Sequence, residues 1–224
     1  SIASTVAAAD AGHFSVVGYQ GNSTNGATVA HSLGGEPELI FFRGREGGGA
    51  SSFLWRVFST LGGAGKYLRL NDTTALQDDT GYLNNTLPGS VVFTLGTDGD
   101  VNNSNYTYIA YCFRSVPGVC KIGSFEGNSS SDGPYVSLGF SPAMVLLKWL
   151  DGSDSWSIFD NARDPFNPVD QLLNPNSNGS EGTNSNIKVD FLSDAFKIRG
   201  SDGKINSSSS IFFMAMADIA GNGT

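Results

Sequence analysis

Phe93-Thr94-Leu95, followed by Asp98-Gly99 and Asn102, returns about a hundred residues later as Phe196-Lys197-Ile198, followed by Asp202-Gly203 and Asn206. The recurrence extends outward in both directions. Tyr19-Gln20-Gly21-Asn22 matches Phe125-Glu126-Gly127-Asn128, an aromatic-x-Gly-Asn core. Leu33-Gly34, Pro37 and Leu39 to Arg43 match Leu138-Gly139, Pro142 and Met144 to Lys148. Trp55 to Phe58 matches Trp156 to Phe159, and Leu70-Asn71 matches Leu173-Asn174. The closing run Tyr108 to Phe113 (YIAYCF) matches Phe212 to Ala217 (FFMAMA). Anchors that keep their order about a hundred residues apart mark an internal repeat.

Each copy reads as all-β. Short runs of Val, Ile, Phe and Tyr alternate with clusters of Gly, Asn, Asp and Ser at the spacing of a sandwich or barrel. Leu39 to Phe42 and Met144 to Leu147 are unbroken apolar runs, as strands buried on both faces are. Phe93-x-Leu95 and Phe196-x-Ile198 alternate, which predicts one wet face. The Asp-Gly pairs after them predict tight hairpin turns. The expected architecture is two tandem homologous antiparallel β-sandwich domains from an internal duplication, at 12–116 and 117–220. Residues 1–11, with Ala7 to Ala9, read as a linker or the end of an upstream stalk, and 221–224 as a tail.

Composition narrows the function. Thirteen basic residues against 21 acidic ones give a formal charge of -8. No basic stripe is present, which argues against nucleic acid as a partner. No apolar run reaches the roughly 20 residues of a membrane helix, which argues against membrane insertion. Cys112 and Cys120 are too few for a disulfide framework, and Cys112, inside an apolar run, reads as a buried and unpaired hydrophobe.

Catalytic signatures fail on inspection. Gly65-Lys66 lacks the flanking residues of a phosphate loop, and no G-x-S-x-G, H-E-x-x-H or zinc-spaced Cys pair occurs. His13 and His31 lie only in the first copy, where His31 aligns with Val136 and reads as a surface or strand-end residue. Most Asp residues stand where turns want them. Asp98, Asp100 and Asn102 have the opening of an oxygen-ligand calcium loop, but no downstream Glu follows and Lys204 replaces Asp100 in the second copy. The expectation is a protein that is not an enzyme and holds no cofactor or metal. Trp55 and Trp156 are expected at equivalent core positions.

The repeat unit resembles a module of tail fibres and tail-associated proteins of tailed bacteriophages, especially marine ones. The resemblance is carried by Tyr19 to Asn22, Leu33 to Arg43, Trp55, Leu70-Asn71, Phe93 to Leu95 and Tyr108 to Phe113, with their second-copy counterparts, and covers nearly the whole chain. Ser23, where the module often has Gly, and Cys120 depart from it. It implies a virion protein, extracellular on the tail fibre, that adheres to a host cell-surface glycan or protein. Its other partners would be fibre subunits, commonly in a homotrimer. The rivals are a capsid-decoration or fibre-spacer module and a fibre-borne polysaccharide depolymerase.

Recognition residues are expected in the long polar connections Arg45 to Ser52, Asn71 to Pro88 and Asn161 to Asn186, since such loops in compact domains are usually functional. The third contains Arg163, Phe166 and Asn167 beside prolines, a mix suited to stacking on sugar and hydrogen bonding to it. Trp149, at the end of a buried run before Asp151-Gly152, is the further stacking candidate.

Overall fold

The computed structural model describes residues 1–47 and 54–218. The expected tail at 221–224 and positions 48–52 of the first long connection lie outside the described residues. The chain divides into two units, one of Ser1–Asn71 with Leu76–Arg114, the other of Asp72–Ala75 with Ser115–Thr224. The division at Arg114/Ser115 falls two residues before the expected one. The short segment Asp72–Ala75, from the connection after Asn71, belongs to the second unit.

The first unit contains β1 (Ser4–Ala8), β2 (Phe14–Gln20), β3 (Ala27–Ala30), β4 (Leu39–Gly47), β5 (Arg56–Ser59), β6 (Lys66–Arg69), β7 (Gln77–Asp78), β8 (Val92–Leu95), the one-turn helix α1 (Gly99–Asn102) and β9 (Tyr106–Phe113). One antiparallel sheet runs β1-β2-β9-β4-β5-β6-β7, and a small sheet pairs β3 with β8. Val17, Ile40, Phe42, Phe58, Tyr108 and Cys112 from the large sheet meet Val29, Phe93 and Leu95 from the small one in a single apolar core. Each fully buried side chain of this size contributes about 2 kcal/mol. Residues 1–11 are thus not a detached linker. Ser4 to Ala8 pair residue by residue with Tyr19 to Ser15 and form the edge of the large sheet.

The second unit contains β10 (Cys120–Glu126), β11 (Tyr135–Ser137), β12 (Pro142–Trp149), β13 (Ser157–Asp160), β14 (Gln171–Leu172), β15 (Gly182–Thr183), β16 (Val189–Phe191), β17 (Ala195–Ile198), the one-turn helix α2 (Gly203–Asn206) and β18 (Ser210–Ala217). Its main sheet runs β10-β18-β12-β13 and its smaller one β11-β17-β16. Val145, Leu147, Phe213 and Ala215 pack against Val136, Val189, Phe196 and Ile198 between these sheets. Pro142 opens β12, the strand position where a missing N–H costs least. Both units are therefore all-β, sandwich-like and antiparallel.

The orders β2-β9-β4-β5 and β10-β18-β12-β13 follow the chain in the same way. One hydrogen-bond constellation also occurs in both units. Asn102, fully buried on α1, accepts at Oδ1 from the Asn22 amide (2.9 Å) and donates through Nδ2 to the carbonyls of Gly96 (2.6 Å) and Thr24 (3.0 Å). Asn206, fully buried on α2, accepts from the Asn128 amide (2.8 Å) and donates to Gly200 (2.9 Å) and Ser130 (2.7 Å). The preceding Asp-Gly pairs are not hairpin turns. Asp98 and Asp202 cap α1 and α2, each accepting from the amide two residues on.

Register corrects one alignment. Tyr19 lies opposite Tyr108, while its counterpart Phe125 lies opposite Ile211. The closing strands therefore match as Tyr108 to Phe113 with Ile211 to Met216. A one-residue slip puts every side chain on the wrong face, and the inward sets, Tyr108/Ala110/Cys112 and Ile211/Phe213/Ala215, agree with the corrected register.

The tryptophans are only partly equivalent. Both donate their backbone N–H to an Asn side chain, Trp55 to Asn71 (2.9 Å) and Trp156 to Asn176 (3.0 Å). Trp156 is fully buried, whereas Trp55 is half-buried, stacked on Tyr111 and covered by the Arg43 guanidinium 5.5 Å from its ring. Cys112 and Cys120 are both buried as thiols, not joined in a disulfide. Burial pushes the Cys112 thiol up to about 12, so it is no nucleophile at neutral pH.

Candidate functional site: the outer face of the second small sheet

The strands β11, β17 and β16 alternate as half-wet strands do. Val136, Phe196, Ile198 and Val189 point into the core. Tyr135, Lys197 and Asp190 stand side by side across the three strands on the other face. Tyr135 is 52% exposed, and its hydroxyl donates to Asp194 Oδ1 at 2.7 Å. Lys197 Nζ pairs with Asp132 at 2.7 Å and holds that carboxyl below its usual range. Arg199 Nε reaches Asp190 Oδ2 at 3.2 Å.

At one end of this face lies a pocket of about 270 Å³ lined by Ser131, Pro168, Lys188, Asp190 and Arg199. Backbone contacts made possible by two glycines shape it. A Cβ on Gly133 would sit 2.8 Å from the Ile198 carbonyl, and one on Gly200 would collide with the Asn186 carbonyl. The bare backbones let the 131–134 segment and the 184–188 turn close on the end of β17. There Gly133 N donates to Ile198 O (3.1 Å) and Arg199 N to Lys188 O (2.9 Å). Serine and lysine are thereby brought beside Arg199 from segments far apart in sequence.

The connection 161–186 forms the neighbouring wall, and it is pinned rather than loose. Asp164 Oδ2 accepts from the amides of Asp170 (2.8 Å) and Gln171 (3.3 Å). Arg163 is a brace: it pairs with Asp160 (2.6 Å) and Glu181 (3.2 Å) and donates to the Ile158 carbonyl (3.3 Å). Asn167 serves as an extra strand position. Its side chain donates to Phe191 O (2.7 Å) and accepts from Phe191 N (2.8 Å), and Val169 then pairs with Val189. Phe166, next in sequence to these anchors, is 80% exposed. A phenylalanine so displayed on a fixed base is a ready stacking surface.

The four residues singled out by sequence thus separate. Asn167 anchors its connection to the edge of β16, with the exposed Phe166 next to it in sequence. Arg163 is committed to its acids. Trp149 is partly buried against the core, its ring lies against Gly152, and its Nε1 donates to Ser209 Oγ at 2.7 Å. Tyr135, Lys188 and Arg199 were missed, because no single stretch of sequence contains them. One signal was present. The second unit has one residue more between Ile198 and Gly200 than the first has between Leu95 and Gly96, and that residue is Arg199.

The other tempting groups are structural. In the first unit Arg56 is almost fully buried, with Nη2 2.6 Å from Asp98 and 3.4 Å from Asp79, Nε 2.9 Å from Asp100, and its guanidinium 3.8 Å over the Tyr67 ring. Asp98 and Asp100, the candidate ion ligands, are thus spent on a cation, and Asn102 is spent on backbone. Burial raises the Asp98 carboxyl. Among the described residues no group of three or more His, Cys, Asp and Glu is arranged to hold a metal ion. In the second unit Lys204 donates instead to Asn174 Oδ1 at 2.6 Å. Lys148 is fully buried, and its Nζ donates to the carbonyls of Thr73, Trp149, Gly152 and Asp154 at 3.0–3.3 Å.

His31 is not at the surface. It is fully buried, accepts at Nδ1 from the Leu33 amide (3.2 Å), and its Nε2 lies 2.9 Å from the Gly89 carbonyl. Both contacts suit the neutral ring with its proton on Nε2, and burial lowers its pKa from 6.5. The unfolded chain therefore binds the proton more readily, and stability contributed by the neutral ring is lost as pH falls through and below 6.5. Replacing His31 with Gln should flatten that acid-side decline in urea titrations at pH 5 to 7; an unchanged slope would show that the ring does not titrate as described.

No curated protein and no solved structure matches the chain. A family model does match, over residues 1–219, which takes in the described part of both units. The chain belongs to that family, described as Domain of unknown function (DUF7483).

Proposed function

We propose that the protein is a virion attachment module of a tailed bacteriophage. It is a tandem pair of sandwich units that arose by internal duplication, carried extracellularly on the tail fibre, and it adheres to a glycan on the host cell surface. The matching strand orders and the paired Asn102 and Asn206 constellations support the duplication. The observation that carries the binding reading is Phe166, four-fifths exposed on a pinned connection whose Pro168 walls a polar pocket. A rigid scaffold presenting one aromatic platform and a few polar groups suits weak glycan contacts, which the valency of a trimeric fibre multiplies.

The test is a whole-cell pull-down with the purified chain, alongside Phe166→Ala and Tyr135→Ala. Both side chains are largely exposed, so each variant should keep its melting temperature while losing roughly tenfold or more in cell binding. Capsid association without cell binding would favour the decoration reading instead. Shortening of a host polysaccharide would favour the depolymerase.

A further inference from the structure

We propose that the pocket at Ser131, Lys188 and Arg199 takes a negatively charged sugar substituent, a carboxylate or a sulfate, so that the glycan bound is an acidic polysaccharide. This rests on the reading of the face as a glycan-binding surface and names its ligand class. Three observations carry it.

The first is charge. The pocket holds two cations, Lys188 and Arg199, against one carboxylate, Asp190, in a chain whose formal charge is -8. Asp190 engages the Nε side of Arg199. That contact orients the guanidinium and leaves its terminal Nη groups, on a side chain 43% exposed, for a second acid. Lys188 has no carboxylate partner among the described residues. A neutral sugar would strip water from these cations without replacing the lost interaction, whereas an anion compensates both.

The second is that folding does not require the arrangement. On the corresponding face of the first unit, Thr28 stands opposite Thr94 and Ala30 opposite Val92, with no charge on either strand. That unit forms the same order of main-sheet strands and the same buried Asn constellation. The cations are an addition to the second unit, and Arg199 is the residue inserted at its strand end.

The third is complementarity of shape. Ser131 offers a hydroxyl, Pro168 offers an apolar wall to the C–H face of a ring, and Phe166 lies two residues before Pro168. A charged pyranose needs these three kinds of contact: ionic at the substituent, polar at a hydroxyl and apolar on the ring face.

The experiment is isothermal titration of the full chain with three oligosaccharides of equal length: oligogalacturonate, sulfated dextran and neutral dextran. Lys188→Gln and Arg199→Gln are titrated in parallel, and their melting temperatures are compared with the parent's. Either acidic oligomer should bind in preference to neutral dextran. Binding should weaken by about tenfold in each variant at unchanged melting temperature and fall with added salt. The preferred acid identifies carboxylate or sulfate as the substituent. Equal binding of neutral dextran, acidic binding indifferent to both substitutions, or no acidic binding at all would each overturn the inference. Should either variant fold poorly, Ser131→Glu, which sets a carboxylate in the pocket mouth, provides the same readout. The attachment reading fails separately: acidic oligomers would bind through Lys188 and Arg199 while the chain ignores host cells.

Discussion

Asn206→Ala should destabilise the second unit by about 4 kcal/mol, and Asn102→Ala the first by a similar amount. Each side chain is fully buried and satisfies three backbone groups at once. For Asn206 these are the Asn128 amide and the carbonyls of Gly200 and Ser130. Truncation leaves all three in a space closed to water, and each orphaned group costs roughly 1–3 kcal/mol. The close approach of Gly127 to Ser207 and of Gly200 to Asn186 leaves little room for solvent to repair the loss. Asn206→Asp keeps the acceptor but turns a buried carboxylate oxygen toward the Gly200 and Ser130 carbonyls, so it should destabilise at least as much as the alanine variant. Urea unfolding followed by tryptophan fluorescence measures this, with Trp149 and Trp156 reporting the second unit and Trp55 the first. A loss under about 1 kcal/mol would mean that the constellation does not organise its unit.

Lys148→Met should cost about 3 kcal/mol at pH 7, and the gap to the parent should widen as pH rises. Methionine fills most of the same volume but leaves four carbonyls without donors. Among the described residues no ion pair balances the ammonium; Asp154 and Asp72 attract it only at a distance, and burial pushes its pKa from 10.5 down to about 8. Between those two values the unfolded chain binds more protons than the folded one, so stability rises with pH through that window. From pH 8 to 10 the parent should gain about 2 kcal/mol on the variant, since one pKa unit corresponds to about 1.4 kcal/mol. Other lysines and tyrosines titrate in both proteins and cancel in the difference. A gap that stays constant or narrows over this range would show that Lys148 is not held in the state described.

Much of this was legible in the sequence, and the failures have physical causes. The apolar runs at Leu39 to Phe42 and Met144 to Leu147 are interior strands, as their shortness between turn residues favours a buried strand over a helix of ten or more residues. β1 was missed because Ser4 to Ala8 is an edge strand of small residues, whose pairing is backbone to backbone and leaves no apolar pattern. The Asp-Gly pairs were misread because aspartate before glycine serves equally as a turn and as a helix cap. The slip in the closing strands arises because the extra residue at Arg199 is balanced by one fewer between Asn206 and Ile211 than between Asn102 and Tyr108, so the sequences align one position out of register. At the candidate site, the pattern of one loop disclosed Phe166 and Asn167. Lys188 and Arg199 acquire meaning only when two glycine contacts bring the 184–188 turn to the end of β17.

Those contacts separate two things a sequence must encode. Gly133 and Gly200 set the pocket walls through main-chain hydrogen bonds, so the positions of residues 131, 188 and 199 do not depend on their own side chains. Ser131, Lys188 and Arg199 can therefore be exchanged for other polar residues with the backbone frame intact. A randomised library at these three positions, with the glycines held fixed, should return folded proteins at high frequency. The same library with either glycine replaced by alanine should return few. Evolvability is thus lodged in two residues outside the pocket lining, and the lining can drift without risk to the scaffold.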